Sequence, residues 1–162
     1  MNSSQKDFLR ILSEYQGIIH KVNLAYFKTV SDREDNFQEV VYQLWKSFPS
    51  LHDKSKIGSW MYAVAINTAI SKIRKDSKLV LMETIPDTEQ TDIPENIDNA
   101  MDAEQLLDAI QKLNEVDKSI MLLYLDEYSY EQIADVMGIS ASNVGVRINR
   151  AKKQLKTILL IK

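Results

Sequence analysis

Cysteine is absent from this sequence, so the chain can build neither a disulfide framework nor a zinc–thiolate site. Its two histidines, His20 and His52, are too few and too far apart for a histidine-based metal centre. No apolar run approaches the ~20 residues that cross a bilayer, and the polar start MNSSQKDF does not read as a secretion signal. Four glycines and three prolines in 162 residues supply too little turn chemistry for a loop-rich β protein. What is present, 44% hydrophobic and 27% charged positions, suits an intracellular helical protein, expected in the cytoplasm and not inserted in a membrane.

A formal net charge of −3 hides a segregation along the chain. Residues 1–78 carry 12 basic and 8 acidic side chains, a net of +4. Residues 79–100 carry 6 acidic side chains, no basic ones, and two of the three prolines, Pro86 and Pro94. Residues 101–162 carry 8 basic and 9 acidic side chains. The middle segment lacks helical periodicity beyond its first residues and is poor in aromatics, so it reads as an acidic linker; a long surface loop in one domain is the alternative. The expected architecture is therefore all-α: two small helical domains at 1–78 and 101–162, joined by the linker at 79–100.

In the first half, Ser31 followed by Glu34 has the spacing of a capping box. Phe37, Val40, Val41, Leu44 and Phe48 then repeat at helical spacing, and Pro49 ends the pattern. After a polar loop, WMYAVAINTAISKIRK predicts a second helix with a basic tail. An earlier helix is expected around Phe8–Val30, with a weak point near Gly17.

The second half is punctuated more sharply. Met101–Leu113 and Lys118–Tyr124 show helical apolar spacing. Ser129 and Gln132 form a second capping box, predicting a helix from Tyr130 to Met137. Gly138 supplies a tight turn, and Ser140 can cap the helix that follows. In that helix Val144, Ile148, Ala151 and Leu155 share one face, while small Ala134 on its predecessor allows close approach. Helix, glycine turn, longer helix is the helix-turn-helix arrangement.

Charge supports nucleic acid as its partner. From Gly138 to Lys162 there are 6 basic and no acidic residues, against 2 basic and 9 acidic from Met101 to Met137. A cationic second helix beside an acidic scaffold is an electrostatic footprint for phosphates; a helical hairpin with a solvated basic face is the bland alternative. Ser142, Asn143, Val146, Arg147 and Arg150 lie on faces that the apolar stripe does not use. Arginine suits guanine O6 and N7, and asparagine suits adenine. Lys152, Lys153 and Lys156 suit phosphates. On this reading, replacing Arg147 by alanine weakens DNA use without loss of helix.

A second basic patch lies at 54–78, where Lys54, Lys56, Lys72, Arg74, Lys75 and Lys78 face only Asp76 and are interleaved with Trp60, Met61 and Tyr62. Cations with aromatics suit an unstacked base on single-stranded nucleic acid, although an aromatic at a helix start is more often core. The acids Asp32, Glu34, Asp35 and Glu39 stand in the first turns of their helix, where its dipole favours them. A protein-docking face that includes Gln38 and Trp45 ranks next, and a metal or enzyme site last.

These residues resemble a known family. The run DREDNFQEVVYQLWKSF…SWMYAVAINTAISKIRK, from Asp32 to Lys78, is similar to region 2 of sigma-70-type RNA polymerase initiation factors. Ala103 to Leu155, AEQLLDAIQKLNEVDKSIMLLYLDEYSYEQIADVMGISASNVGVRINRAKKQL, is similar to region 4. Both blocks in this order, with a short linker, resemble the minimal extracytoplasmic-function (ECF) subgroup.

The resemblance implies roles. Asp35, Gln38, Glu39, Leu44 and Trp45 would dock on the clamp helices of the polymerase β′ subunit. The stretch from Leu51 to Tyr62, with His52, Lys54, Lys56, Trp60 and Tyr62, would recognise the −10 element and capture a flipped base. Ser142, Asn143, Val146, Arg147, Arg150 and Lys153 would read the −35 element, and the same domain would meet the β flap. An anti-sigma protein is a further implied partner. In many relatives the −10 loop reads Phe-Arg-Gly-Glu-Ser-Lys-Phe; here it is Leu51-His52-Asp53-Lys54-Ser55-Lys56-Ile57, and Ala63 replaces a common arginine, so the preferred −10 sequence stays open.

The expected function is promoter recognition on core RNA polymerase, with no covalent chemistry, no cofactor and no metal of its own. The alternative is a free-standing helix-turn-helix regulator that acts without polymerase; a decoy that binds polymerase but not DNA, and a carboxylate–metal nuclease, rank lower. Geometry allows one chain to hold both promoter elements: a 22-residue extended linker spans about 70 Å, close to two turns of duplex at roughly 35 Å each.

Overall fold

In the computed structural model, residues 2–77 and 103–160 are described, and every regular element among them is helical. The chain divides into two compact units, Met1–Arg74 and Lys75–Lys162. The acidic segment 79–100 lies outside the described residues.

The first unit is built on α1 (Ser3–Tyr26), α2 (Val30–Ser47) and α3 (Ile57–Ser77). A capping box starts α1: the Asn2 side chain accepts from the Gln5 N–H at 2.9 Å, and the Gln5 side chain accepts from the Asn2 N–H at 3.0 Å. The helix runs through Gly17 without weakening and stops where Phe27 turns extended, so the expected bounds Phe8–Val30 are corrected to Ser3–Tyr26. Thr29, with extended backbone, caps α2 by accepting from the Asp32 N–H at 3.1 Å. Ser31 is already inside the helix and cannot be its cap; the predicted box at Ser31–Glu34 therefore gives way to Thr29. Pro49 sits at the start of a 3₁₀ turn, Phe48–Ser50, that closes α2.

Phe8, Ile11, Ile19 and Val22 of α1, Val40 and Leu44 of α2, and Met61, Ala65, Ile66 and Ala69 of α3 are all buried. Each fully buried valine, leucine, isoleucine or methionine side chain among them contributes about 1.5–3 kcal/mol. Polar groups also enter this core. Asn36 Nδ2 donates to Asn23 Oδ1 at 2.6 Å, and Asn23 Nδ2 donates to the Arg33 carbonyl at 3.1 Å. Arg33 Nε in turn donates to the Phe27 carbonyl at 2.9 Å, so α1, the connection and α2 are tied by one hydrogen-bonded chain.

The second unit contains α4 (Ala103–Gln111), α5 (Glu115–Leu125), α6 (Tyr130–Met137) and α7 (Ala141–Leu160). α7 packs on all three of the others, through Val144, Ile148, Ala151 and Leu155. The turn between α6 and α7 follows its predicted chemistry. Ser129 and Gln132 form the capping box, and Gly138 ends α6 in the left-handed region at φ 69°, its N–H donating to the Ala134 carbonyl at 2.8 Å. Ser140 Oγ then accepts from the Asn143 N–H at 3.1 Å and opens α7. Gly145 marks a close approach of the two helices, since a Cβ there would meet the Tyr130 ring at 3.4 Å.

Candidate nucleic-acid interface

Once Val144, Ile148, Ala151 and Leu155 are buried, the opposite face of α7 is set. Ser142, Asn143, Val146, Asn149, Arg150 and Lys153 are exposed, spaced so that they form one stripe along the helix. The first of them stand in its N-terminal turns, the part of a recognition helix that reaches base edges most directly. Val146 is 64% exposed, an apolar side chain between polar ones, suited to a thymine methyl.

Arg147 departs from expectation. Its Nη1 donates to Asp117 Oδ1 at 3.0 Å, across to α5. Asp117 is wholly buried, and Arg150 Nη2 stands 3.8 Å from its other oxygen. Asn114 closes the remaining side: its Oδ1 accepts from the Asp117 N–H at 2.8 Å, and its Nδ2 donates to Asp117 Oδ2 at 2.9 Å. A buried carboxylate without partners would be costly, so these contacts hold the two guanidinium groups near α5. Lys152 likewise turns inward, donating to the Tyr124 hydroxyl at 2.8 Å, with its ammonium 4.6 Å from the ring centre. The cations of α7 therefore do not all lie on the open stripe.

In the first unit the loop before α3 presents His52, Lys54 and Lys56 to solvent. Asp53 organises this loop: its Oδ1 accepts from the Ser55 hydroxyl at 2.6 Å and from the Ser55 N–H at 3.0 Å. Those two hydrogen bonds hold the Asp53 carboxyl below the usual carboxylate range, helped by the charge on Lys56. Trp60 instead joins an aromatic cluster with its ring 6.3 Å from Phe48, and its indole nitrogen is buried without a hydrogen-bond partner. Tyr62 is fully buried. The structure thus corrects the predicted −10 set: its exposed members are the three loop residues, while Tyr62 is core and Trp60 is mostly so. Tyr62 lies one turn from Ala65 and Ile66 on the apolar face of α3, which decides its place.

A third surface runs along α2. Asp35, Gln38, Tyr42 and Trp45 are exposed at i, i+3, i+7 and i+10, with Glu39 beside them. Tyr42 and Trp45 are 55% and 40% exposed, two large aromatics on one helix face. Trp45 is braced from behind by an edge-on contact with Phe8, ring centres 5.1 Å apart. Leu44 is completely buried, which removes it from the predicted docking set. Its position on the face of Val40 fixes it in the core.

The sequence matches the Sigma-70 region 2 family over residues 11–79 and the Sigma-70, region 4 family over residues 103–155. It is 30% identical over 129 residues to RNA polymerase sigma factor YlaC of Bacillus subtilis (strain 168), a match that covers 76% of this chain and 75% of that protein. The chain belongs to the sigma-70 family of RNA polymerase sigma factors. It is also 28% identical over 165 residues to the ECF RNA polymerase sigma-E factor of Haemophilus influenzae, covering 94% of this chain and 87% of that one. Among solved structures, the sigma factor RpoE in complex with the anti-sigma factor NepR from Bartonella quintana shares the fold, with a TM-score of 0.70, 19% identity, and coverage of 98% and 97% of the two chains. CnrH in complex with the cytosolic domain of CnrY shares it too, at a TM-score of 0.65 and 16% identity over 96% and 88%. This ECF-type sigma factor is a transcription initiation factor that works on RNA polymerase at promoters.

Three residues of this sigma factor stand out that sequence reasoning did not single out. Tyr42 and Asn149 carry a periodicity signal, since each completes a stripe of exposed residues. Asp117 carries no more than a cap spacing with Asn114; among the described acids of the second half, its burial distinguishes it. No described helix is long and apolar enough to cross a membrane.

Proposed function

We propose that this sigma factor reads the −35 element with the open face of α7. Ser142, Asn143, Val146 and Asn149 lie toward the bases, and Arg147, Arg150 and Lys153 toward phosphates. The observation that carries this reading is the exposed stripe, polar apart from Val146, on the second helix of a fully capped helix-turn-helix. His52, Lys54 and Lys56 supply the exposed contacts to the −10 element, beside the partly buried Trp60. Asp35, Gln38, Glu39, Tyr42 and Trp45 form the face that docks on the β′ clamp helices, and the second unit meets the β flap. The acidic segment 79–100 tethers a −10 domain at 1–78 to a −35 domain at 101–162, so that the second DNA contact follows the first at high effective concentration. The two solved relatives are bound to NepR and CnrY, which supports an anti-sigma protein as a regulator of this chain in the cytoplasm.

The polymerase performs the covalent chemistry; the sigma factor offsets the few kcal/mol of unstacking at the −10 element with binding of the exposed base. Initiation by core RNA polymerase on a pool of random promoters, with and without this protein, tests the reading. Enrichment of one two-part motif only when the protein is added is the expected result. DNA binding of equal strength and selectivity without polymerase would favour a free-standing regulator instead, which leaves the exposed α2 stripe without a use.

A further inference from the structure

On a recognition helix, a flexible arginine is a liability for selectivity. It pairs with guanine wherever one comes within reach, and with any phosphate regardless of sequence. α7 carries two arginines in adjacent turns, and both converge on a carboxylate outside the helix-turn-helix proper. Asp117 stands in the first turn of α5 and is wholly buried. One of its oxygens accepts from Arg147 at 3.0 Å; the other accepts from Asn114 at 2.9 Å and lies 3.8 Å from Arg150. Asn114 is itself fixed as the cap of α5, so the carboxylate has one orientation. Both guanidinium groups keep donors to spare, and their side chains remain 27% and 43% exposed at the border of the open stripe.

From this arrangement we infer that Asp117 is a specificity-determining positioning residue for −35 recognition. It clamps Arg147 and Arg150 against α5 as phosphate contacts at one register along the duplex. Base discrimination then falls to the short side chains of Ser142, Asn143, Val146 and Asn149, which read only the bases that the register places before them. The inference rests on the proposed reading of α7 as the −35 reader. It adds that selectivity is governed by a residue with no path to the DNA.

The test uses the full chain assembled with core polymerase, on a promoter selected by that holoenzyme and on the same promoter with its −35 element scrambled. Asp117→Asn keeps the shape but frees two cations. It is expected to cut the preference for the intact element by about tenfold, of the order of one lost base-pair discrimination. It should also raise affinity for the scrambled template and steepen the log–log salt dependence by up to about one, because one negative charge beside two existing phosphate contacts is removed, at ~0.9 per unit of phosphate neutralisation. Arg147→Lys, which retains a charge for Asp117 but loses the guanidinium fork, should keep the preference within about threefold, because on this account Arg147 reads no base.

A merely structural Asp117 would lower binding to both templates together, in step with helical content, and would leave the salt slope unchanged; that result overturns the inference. So does a loss with Arg147→Lys as large as with Asp117→Asn, which would assign Arg147 to a base. If Asp117→Asn proves unfolded by circular dichroism, the Arg147→Lys result decides alone. A wild-type holoenzyme with no preference for the intact −35 element would instead refute the reading of α7, a distinct outcome.

Discussion

Arg147 and Asp117, thirty residues apart in sequence, meet at 3.0 Å and join the recognition helix to the start of α5. The sequence alone places Arg147 on a free face and predicts that its removal affects DNA use only. The geometry adds a stability cost. Breaking a buried pair by removing one partner typically costs 3–5 kcal/mol; Asn114 and the nearby Arg150 remain, and Arg147 is partly exposed, so about 2 kcal/mol is expected for Arg147→Ala. Urea unfolding of the full chain measures it, as a lower midpoint with an unchanged slope.

The docking role proposed for the α2 surface can be tested apart from packing. Tyr42→Ala removes an exposed ring and should change stability by less than about 0.5 kcal/mol, while weakening core-polymerase binding by tenfold or more if the stripe is a hot spot. Leu44→Ala, one turn-phase away and fully buried, should destabilise by about 3 kcal/mol through the cavity it leaves. Titration with core polymerase, run beside thermal unfolding, distinguishes the two. Equal binding by Tyr42→Ala and the wild type would remove that residue from the docking face.

Glu127 sits at φ 66° between α5 and α6, in the left-handed region where a side chain costs roughly 1–2 kcal/mol. Glycine adopts this backbone freely but loses more chain entropy on folding. Glu127→Gly is therefore expected to stabilise the chain by about 0.5–1 kcal/mol. Thermal unfolding reads this as a higher midpoint; a lower one would mean that the Glu127 side chain contributes a contact outweighing the strain.

The loop before α3 gives a pH prediction. The hydroxyl and N–H of Ser55 hold the Asp53 carboxyl below its ordinary value. A depressed carboxylate favours the ordered loop at pH above the ordinary aspartate value, about 3.9, and that contribution fades as pH falls through the depressed value. Ser55→Ala removes the stronger of the two hydrogen bonds and should move the Asp53 titration upward. Carboxyl-carbon NMR follows it directly; an unmoved titration would show that the serine side chain does not set it.

The helix-turn-helix was legible from sequence because its signals are local. Ser129 with Gln132, Gly138 and Ser140 each act within four residues, and each forms the contact its spacing predicts. The start of α2 was harder for the same reason: Thr29 and Ser31 are both good caps two residues apart, and only the chain direction out of α1 selects between them. Helical phase alone groups Leu44 with Val40 on the buried stripe, and only the family resemblance put it in a docking set; Tyr62 reads as a base-stacking aromatic among cations, yet its phase puts it with Ala65 in the core. Only the Asn114 side of the Asp117 clamp is local, a helix-cap spacing; its arginine partners lie on another helix and its burial is a tertiary property, so the clamp itself has no local signature.

The buried Asn23–Asn36 hydrogen bond carries a consequence for presentation. In a dry seam of leucine and isoleucine, sliding α2 by one turn would still bury apolar surface, but it would strand two amides at a penalty of about 1–3 kcal/mol each. The amide pair works as a detent: it admits a single rotational setting of α2 against α1. Asp35, Gln38, Tyr42 and Trp45 thereby share one fixed heading, and under the proposed docking reading a partner meets a surface already set instead of having to mould one.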